Sequence, residues 1–92
     1  MKLVFVSKAK ADLRWFKQYY TNVFPEGKTK ADKQFLSILK TLKTNPYIGH
    51  PSEALKNTRE LIVHNTPFIF LYRVQENRIE ILRIIDGRSD WL

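Results

Sequence analysis

The chain has 92 residues, of which 43% are hydrophobic, with no cysteine and a formal net charge of +7. That length supports one domain, residues 1–92, with a core able to fold without staples. The missing cysteines exclude disulfides, thiolate metal sites and thiol nucleophiles together, and fit a reducing compartment.

The opening apolar run, Leu3 to Val6, is too short for a signal-peptide core, and the longest one, Phe68 to Tyr72, is far below membrane-spanning length. A soluble, cytoplasmic protein is expected. The charge is lopsided. Residues 1–45 hold ten Lys/Arg against three acids (Asp12, Glu26, Asp32), whereas residues 46–92 hold six of each. A one-sided basic surface suits a polyanionic partner, nucleic acid or an acidic protein segment; the plain alternative is a solubilising lysine face.

Along the chain, Lys2 to Val6 reads as a first strand. Ser7 is placed to cap a helix from Lys8 to about Phe24, with Ala9, Leu13, Phe16, Tyr20 and Val23 as its apolar stripe. Pro25-Glu-Gly27 ends it. Thr29-Lys-Ala-Asp32 has capping-box spacing, and a second helix runs to about Lys43 with Ala31, Phe35, Ile38, Leu39 and Leu42 inward. Two amphipathic helices with so short a join predict an antiparallel hairpin. Pro46 to Thr58 reads as a surface loop.

Three strands follow: Arg59 to Val63, Phe68 to Val74 and Arg78 to Ile85, the last two joined at Gln75-Glu-Asn77. The order β-α-α-β-β-β predicts an α+β domain, with the helical hairpin packed on one face of a mainly antiparallel sheet.

The usual catalytic signals fail. Gly27-Lys-Thr29 imitates the end of a P-loop, but position 22 is Asn where that motif needs glycine, and no strand precedes it. His50 and His64 have no acidic or cysteine partner at metal-ligand spacing, and no serine has nucleophile-elbow context. No cofactor or metal is expected. Metal-free RNA cleavage survives, since it needs a base, an acid and cations for a charged phosphorane. Arg59, Arg73, Arg83 and Arg88 supply cations, and Glu53, His64 and Asp86 are the titratable candidates. Arginine itself is a poor proton carrier, with a pKa above ~12. The cation half of such a site is present and the proton-transfer half is thin.

The ordered set Asn45-Pro-Tyr-Ile-Gly49, Arg59-Glu-Leu-Ile-Val63, Pro67-Phe-Ile-Phe-Leu-Tyr-Arg-Val74 and Ile79 to Asp90 resembles the RelE/ParE superfamily, toxins of type II toxin–antitoxin modules. Ala9-Lys-Ala-Asp-Leu13 resembles that family's first-helix opening, and the likeness spans nearly the whole chain. It implies the β-α-α-β-β-β architecture and a cognate antitoxin, with a toxin–antitoxin hetero-oligomer as the natural state. RelE-like members cut messenger RNA on the ribosome, and ParE-like members poison DNA gyrase. Ribonuclease members commonly end in His or Tyr as proton-transfer groups; here the end is Asp86-Gly-Arg-Ser-Asp-Trp-Leu92. Many ParE-like sequences carry His where Asp86 stands, so the chain departs from that pattern too. The wording of Phe70 to Val74 and Ile81 to Ile85 lies nearer the ParE side.

The resemblance thus implies a gyrase-directed toxin with Arg59, Arg73, Arg83, Arg88 and Trp91 as target contacts. The alternative is a ribosome-dependent ribonuclease using Glu53, Arg59, His64, Arg83 and Asp86. Beside these stand structural readings: Arg83 paired with Glu60 or Glu80, Arg73 with a neighbouring acid, Glu53 and His64 solvated, and Trp15 and Tyr19 at the core margin.

Overall fold

The computed structural model describes residues 1–88. The elements in order are β1 (Lys2–Phe5), α1 (Ser7–Gln18), a π-helical turn (Tyr19–Val23), a 3₁₀ turn (Pro25–Gly27), α2 (Lys28–Thr44), β2 (His50–Pro51), β3 (Arg59–Ile62), β4 (Phe68–Gln75) and β5 (Arg78–Asp86). They build a five-stranded sheet ordered β1-β5-β4-β3-β2, in which β1 runs parallel to β5 and every other pair is antiparallel. The expected α+β arrangement is therefore present, with one addition. The segment read as a plain surface loop contains β2, whose two residues pair with Glu60 and Arg59. So short a strand leaves no periodicity to read.

The helices cover one face of the sheet. On β4, alternate residues Phe68, Phe70 and Tyr72 belong to the core with Ile79, Ile81 and Ile84 of β5 and Val63. From α1 come Ala9 and Phe16, and from α2 Ala31, Phe35 and Leu42. Phe16 is the hub, with ring centroids 4.7 Å from Phe68 and 5.0 Å from Phe35. Phe35 in turn meets Phe70 at 5.1 Å. A β-bulge sets the inward residues of β5. Leu71 pairs with Arg83 but Tyr72 with Ile81, so Leu82 is the extra residue and the inward parity changes from Ile79 and Ile81 to Ile84.

Three helix boundaries differ from expectation. Ser7 lies inside α1; Val6 is the N-cap, with no side-chain cap. α2 begins at Lys28 after Gly27, and Asp32 makes an i, i+4 ion pair with Lys28 at 2.8 Å instead of closing a capping box. α1 ends at Gln18, and the following turn widens so that the Phe24 N–H donates to the Tyr19 carbonyl at 3.0 Å. The wider turn brings both Tyr19 and Tyr20 against Phe68, at 5.6 and 6.0 Å, and rotates Val23 out to 69% exposure instead of inward. Among the described residues no helix is long and apolar enough to cross a membrane.

Candidate functional site

The segment after α2 is fixed by two side chains of the sheet. Tyr72 is fully buried on β4, and its hydroxyl donates to the Pro46 carbonyl at 2.8 Å while accepting the Gly49 N–H at 2.9 Å. Burial pushes this phenol above its ordinary value, so it remains a donor at neutral pH. Arg59, opposite Tyr72 in the β3–β4 register, donates through Nη1 to the Gly49 carbonyl at 2.6 Å and the Tyr47 carbonyl at 3.3 Å. Its guanidinium lies 5.1 Å from the Tyr47 ring centroid. Gly49 must be glycine here, since a Cβ would stand 2.7 Å from the Tyr72 hydroxyl and 2.8 Å from the Glu60 carbonyl.

This clamp forms one wall of a cleft of about 640 Å³ lined by Tyr47, Lys56, Arg59, Arg73 and residues between them. Three cations and no carboxylate stand among the described residues that line it. Nothing in the spacing of the sequence marked Lys56 or Tyr47; their position depends on β2 pairing with β3 and turning the loop back over Arg59. The cleft favours an anion, a carboxylate or a phosphate, by simple charge complementarity.

The other arginines are engaged in the fold. Arg73 and Arg78 both bind Glu80, Arg73 through Nε and Arg78 through Nη2 at 2.6 Å. The hydrogen bond from Arg73 holds the Glu80 carboxyl below its ordinary range. Arg73 is thus paired with a neighbouring acid while its half-exposed side chain also borders the cleft. Arg83 pairs with neither Glu60 nor Glu80. Its Nε donates to Asp12 Oδ2 at 2.6 Å and its Nη2 to Oδ1 at 3.1 Å. Glu60 instead accepts from Ser52 Oγ at 2.6 Å. The reason is topological: α1 passes the open edge of β5 just beyond the last residue covered by β1.

Arg88 clasps Asp86 through Nε at 3.0 Å and Nη2 at 2.8 Å, and its backbone N–H adds a third bond at 2.9 Å. Those bonds, the side-chain one first, hold the Asp86 carboxyl below its ordinary value and raise Arg88, which also meets Tyr19. Asp86 is then ionised at neutral pH and has no proton to donate. Glu53 and His64 are exposed, in line with the solvated reading of both. Trp15 packs its ring 5.4 Å from Phe68 and 5.9 Å from Tyr19 while remaining 47% exposed, as a core-margin residue does. Trp91 lies outside the described residues.

Geometry separates the titratable candidates. Arg59 starts β3 and Glu53 lies in the loop before it, whereas His64 sits in the turn after β3 and Asp86 pairs with Phe68 just past that turn. Two candidates therefore lie at one end of the sheet and two at the other, with Arg83 between them opposite Leu71. Among the described residues no three His, Asp or Glu side chains form a group able to hold a metal.

A profile described as ParE toxin of type II toxin–antitoxin system, parDE, matches residues 3–91. Among solved structures, the chromosomal ParDE toxin–antitoxin system of P. aeruginosa contains a chain 34% identical, with TM-score 0.74 over 94% of this chain and 95% of that one. The E. coli DinJ–YafQ complex contains a chain at 12% identity and TM-score 0.69, covering 98% and 97%. The YoeB/ParE toxin of Agrobacterium tumefaciens matches at 16% identity and TM-score 0.66, covering 91% and 95%. At those lower identities the likeness is one of fold. A search of curated proteins gave no significant match. The profile match over nearly all of the chain, together with the P. aeruginosa relative, places this protein in the ParE toxin family of type II toxin–antitoxin systems.

Proposed function

We propose that the protein inhibits growth by docking on DNA gyrase, without chemistry of its own, and that a cognate antitoxin neutralises it in a hetero-oligomeric complex. The observation that carries this reading is the dispersal of proton-transfer groups. Glu53 stands at the Arg59 end of the sheet and His64 and Asp86 at the other, where the Asp86 carboxylate is clasped by Arg88 and has no proton to donate. General acid–base catalysis typically contributes ~10²–10⁴-fold and requires its groups within hydrogen-bond reach of one reacting centre. A docking surface needs only presented side chains, and the Tyr47–Arg59 cleft offers them. The 34% identical ParDE relative supports the same side of the superfamily and an antitoxin partner.

A second reading, ribosome-dependent cleavage of messenger RNA, is favoured by one observation. Lys56, Arg59 and Arg73 line the same cleft and would suit an RNA phosphate. Inducible expression separates the two. Gyrase docking predicts relaxed plasmid topology with intact messenger RNA, and co-expression of the adjacent antitoxin frame restores both growth and supercoiling. Fragmented messenger RNA with normal plasmid topology would replace this reading with the second.

A further inference from the structure

Lysine and arginine are partitioned between the two layers of the fold. The sheet with its connecting loops carries five arginines and two lysines, Lys2 and Lys56, and those arginines are tied to carbonyls or carboxylates. The two helices carry eight lysines and one arginine, Arg14. Their only acids are Asp12, taken by Arg83, and Asp32, taken by Lys28. The remaining helical lysines are exposed and make no ion pair with any described carboxylate. The helical layer is therefore a field of one sign, and its charge is not offset within the fold.

From this we infer that the outer face of the α1–α2 hairpin, centred on α2, contacts the phosphate backbone of duplex DNA without reading its sequence. Lys33 and Lys40 lie two turns apart, opposite the buried stripe of Ala31, Phe35 and Leu42. At 1.5 Å per residue their separation is about 10 Å. That spacing corresponds to about three base pairs at 3.4 Å of rise per step along one strand. Lys30 and Lys43 extend the row, and Ser37 among them is exposed and able to donate to phosphate oxygens.

Two features favour a duplex backbone over base-reading or single-stranded contacts. Lysine presents a point charge and lacks the planar fork that reads guanine, so the contact is to backbone and indifferent to sequence. No aromatic residue of α2 is exposed, since Phe35 is buried, so the stacking platform that single strands use is missing. The inference goes beyond gyrase docking and does not rest on it, because the binding is measured with no gyrase present.

Fluorescence anisotropy of the full-length toxin with two labelled duplexes of unrelated sequence tests it, over a salt series and against poly-L-glutamate as competitor. Equal affinity for both duplexes is expected within about twofold, with log K falling against log salt by about 0.9 per phosphate contact. The triple variant Lys33→Glu, Lys40→Glu, Lys43→Glu should bind at least 10-fold more weakly and show a shallower salt slope, with an unchanged thermal midpoint. Failure to bind duplex at low salt would overturn the inference. So would affinity unaffected by the triple variant, or tighter binding of poly-L-glutamate than of duplex, which would make the face a docking site for an acidic protein.

Discussion

Asp12 and Arg83 join the first helix to the last strand at the point where the sheet edge would otherwise be left open. β1 covers β5 only as far as Ile81, whose carbonyl accepts the Val6 N–H at 3.1 Å. The Asp12 carboxylate then takes over as the edge acceptor, with Oδ2 receiving the Ile84 N–H at 3.0 Å and Arg83 Nε at 2.6 Å. One carboxylate thus satisfies a backbone donor and a half-buried guanidinium, across 71 residues of sequence. In a protein whose β1 is only four residues long, this clasp substitutes for the missing length of edge strand.

Asp12→Ala should therefore destabilise the fold by roughly 1–3 kcal/mol, because it leaves both an N–H and a guanidinium unpaired. Asp12→Asn keeps an acceptor for Ile84 and should lose less. Arg83→Ala should lower the thermal midpoint measurably as well, because the clasp fixes that side chain in the fold. Thermal melts of the single variants and of the double variant give the coupling between them. Additive effects would show that the clasp is not a unit.

Tyr72→Phe isolates the second clamp. It removes the donor to Pro46 and the acceptor for Gly49 while keeping the ring in the core, so a loss of about 1–3 kcal/mol is expected. Gly49→Ala should do at least as much harm, since its Cβ has no room beside the Tyr72 hydroxyl and the Glu60 carbonyl. Denaturant unfolding measures both. A neutral Gly49→Ala would mean that the loop relaxes freely away from Tyr72.

Much of this was legible in the sequence and some was not, for identifiable reasons. Alternating apolar residues in Phe68 to Val74 and Ile79 to Ile85 announced two core strands, and the 3-4 spacing of Ala31, Phe35, Ile38 and Leu42 announced α2. Local patterns carry that information. The π-turn at Tyr19 did not show, because it follows from where two tyrosines meet Phe68 in three dimensions. Arg83 was legible as an unusual strand arginine, but its partner on α1 was not, since register and the Leu82 bulge bring them together. Arg59 stands out in the sequence as the arginine that opens a strand; Tyr47 and Lys56 join it only through β2, which folds the loop back.

The acid limb of stability should follow Glu80 and Asp86. Both carboxyls are held below their ordinary values of 4.5 and 3.8, Glu80 chiefly by the hydrogen bond from Arg73 and Asp86 by that from Arg88. A depressed folded pKa means that the unfolded chain binds the proton more readily. Stability from these groups is thus full above about pH 4.5 and is lost as pH falls through the lower folded values. The thermal midpoint should drop between pH 5 and pH 3, and Glu80→Gln should flatten part of that drop. An equal drop in wild type and Glu80→Gln would assign the acid sensitivity elsewhere.

The cleft makes a separate prediction about toxicity. Lys56→Ala removes an exposed cation and should weaken growth inhibition without moving the thermal midpoint. Arg59→Ala should relieve inhibition more strongly but also lower the midpoint, since it releases the Tyr47 and Gly49 carbonyls. Induced growth curves read beside melts of the same variants separate the two effects. Full toxicity in both variants would move the target surface away from this cleft.

Purified toxin set against two purified targets decides between gyrase docking and cleavage of messenger RNA. With DNA gyrase, ATP and relaxed plasmid, gyrase docking predicts loss of supercoiling and accumulation of cleaved DNA, both reversed by the antitoxin. With ribosomes translating a defined messenger RNA, it predicts intact message. Undisturbed supercoiling together with rapid, codon-phased cleavage of the message would contradict it and make Glu53, His64 and Asp86 catalytic candidates.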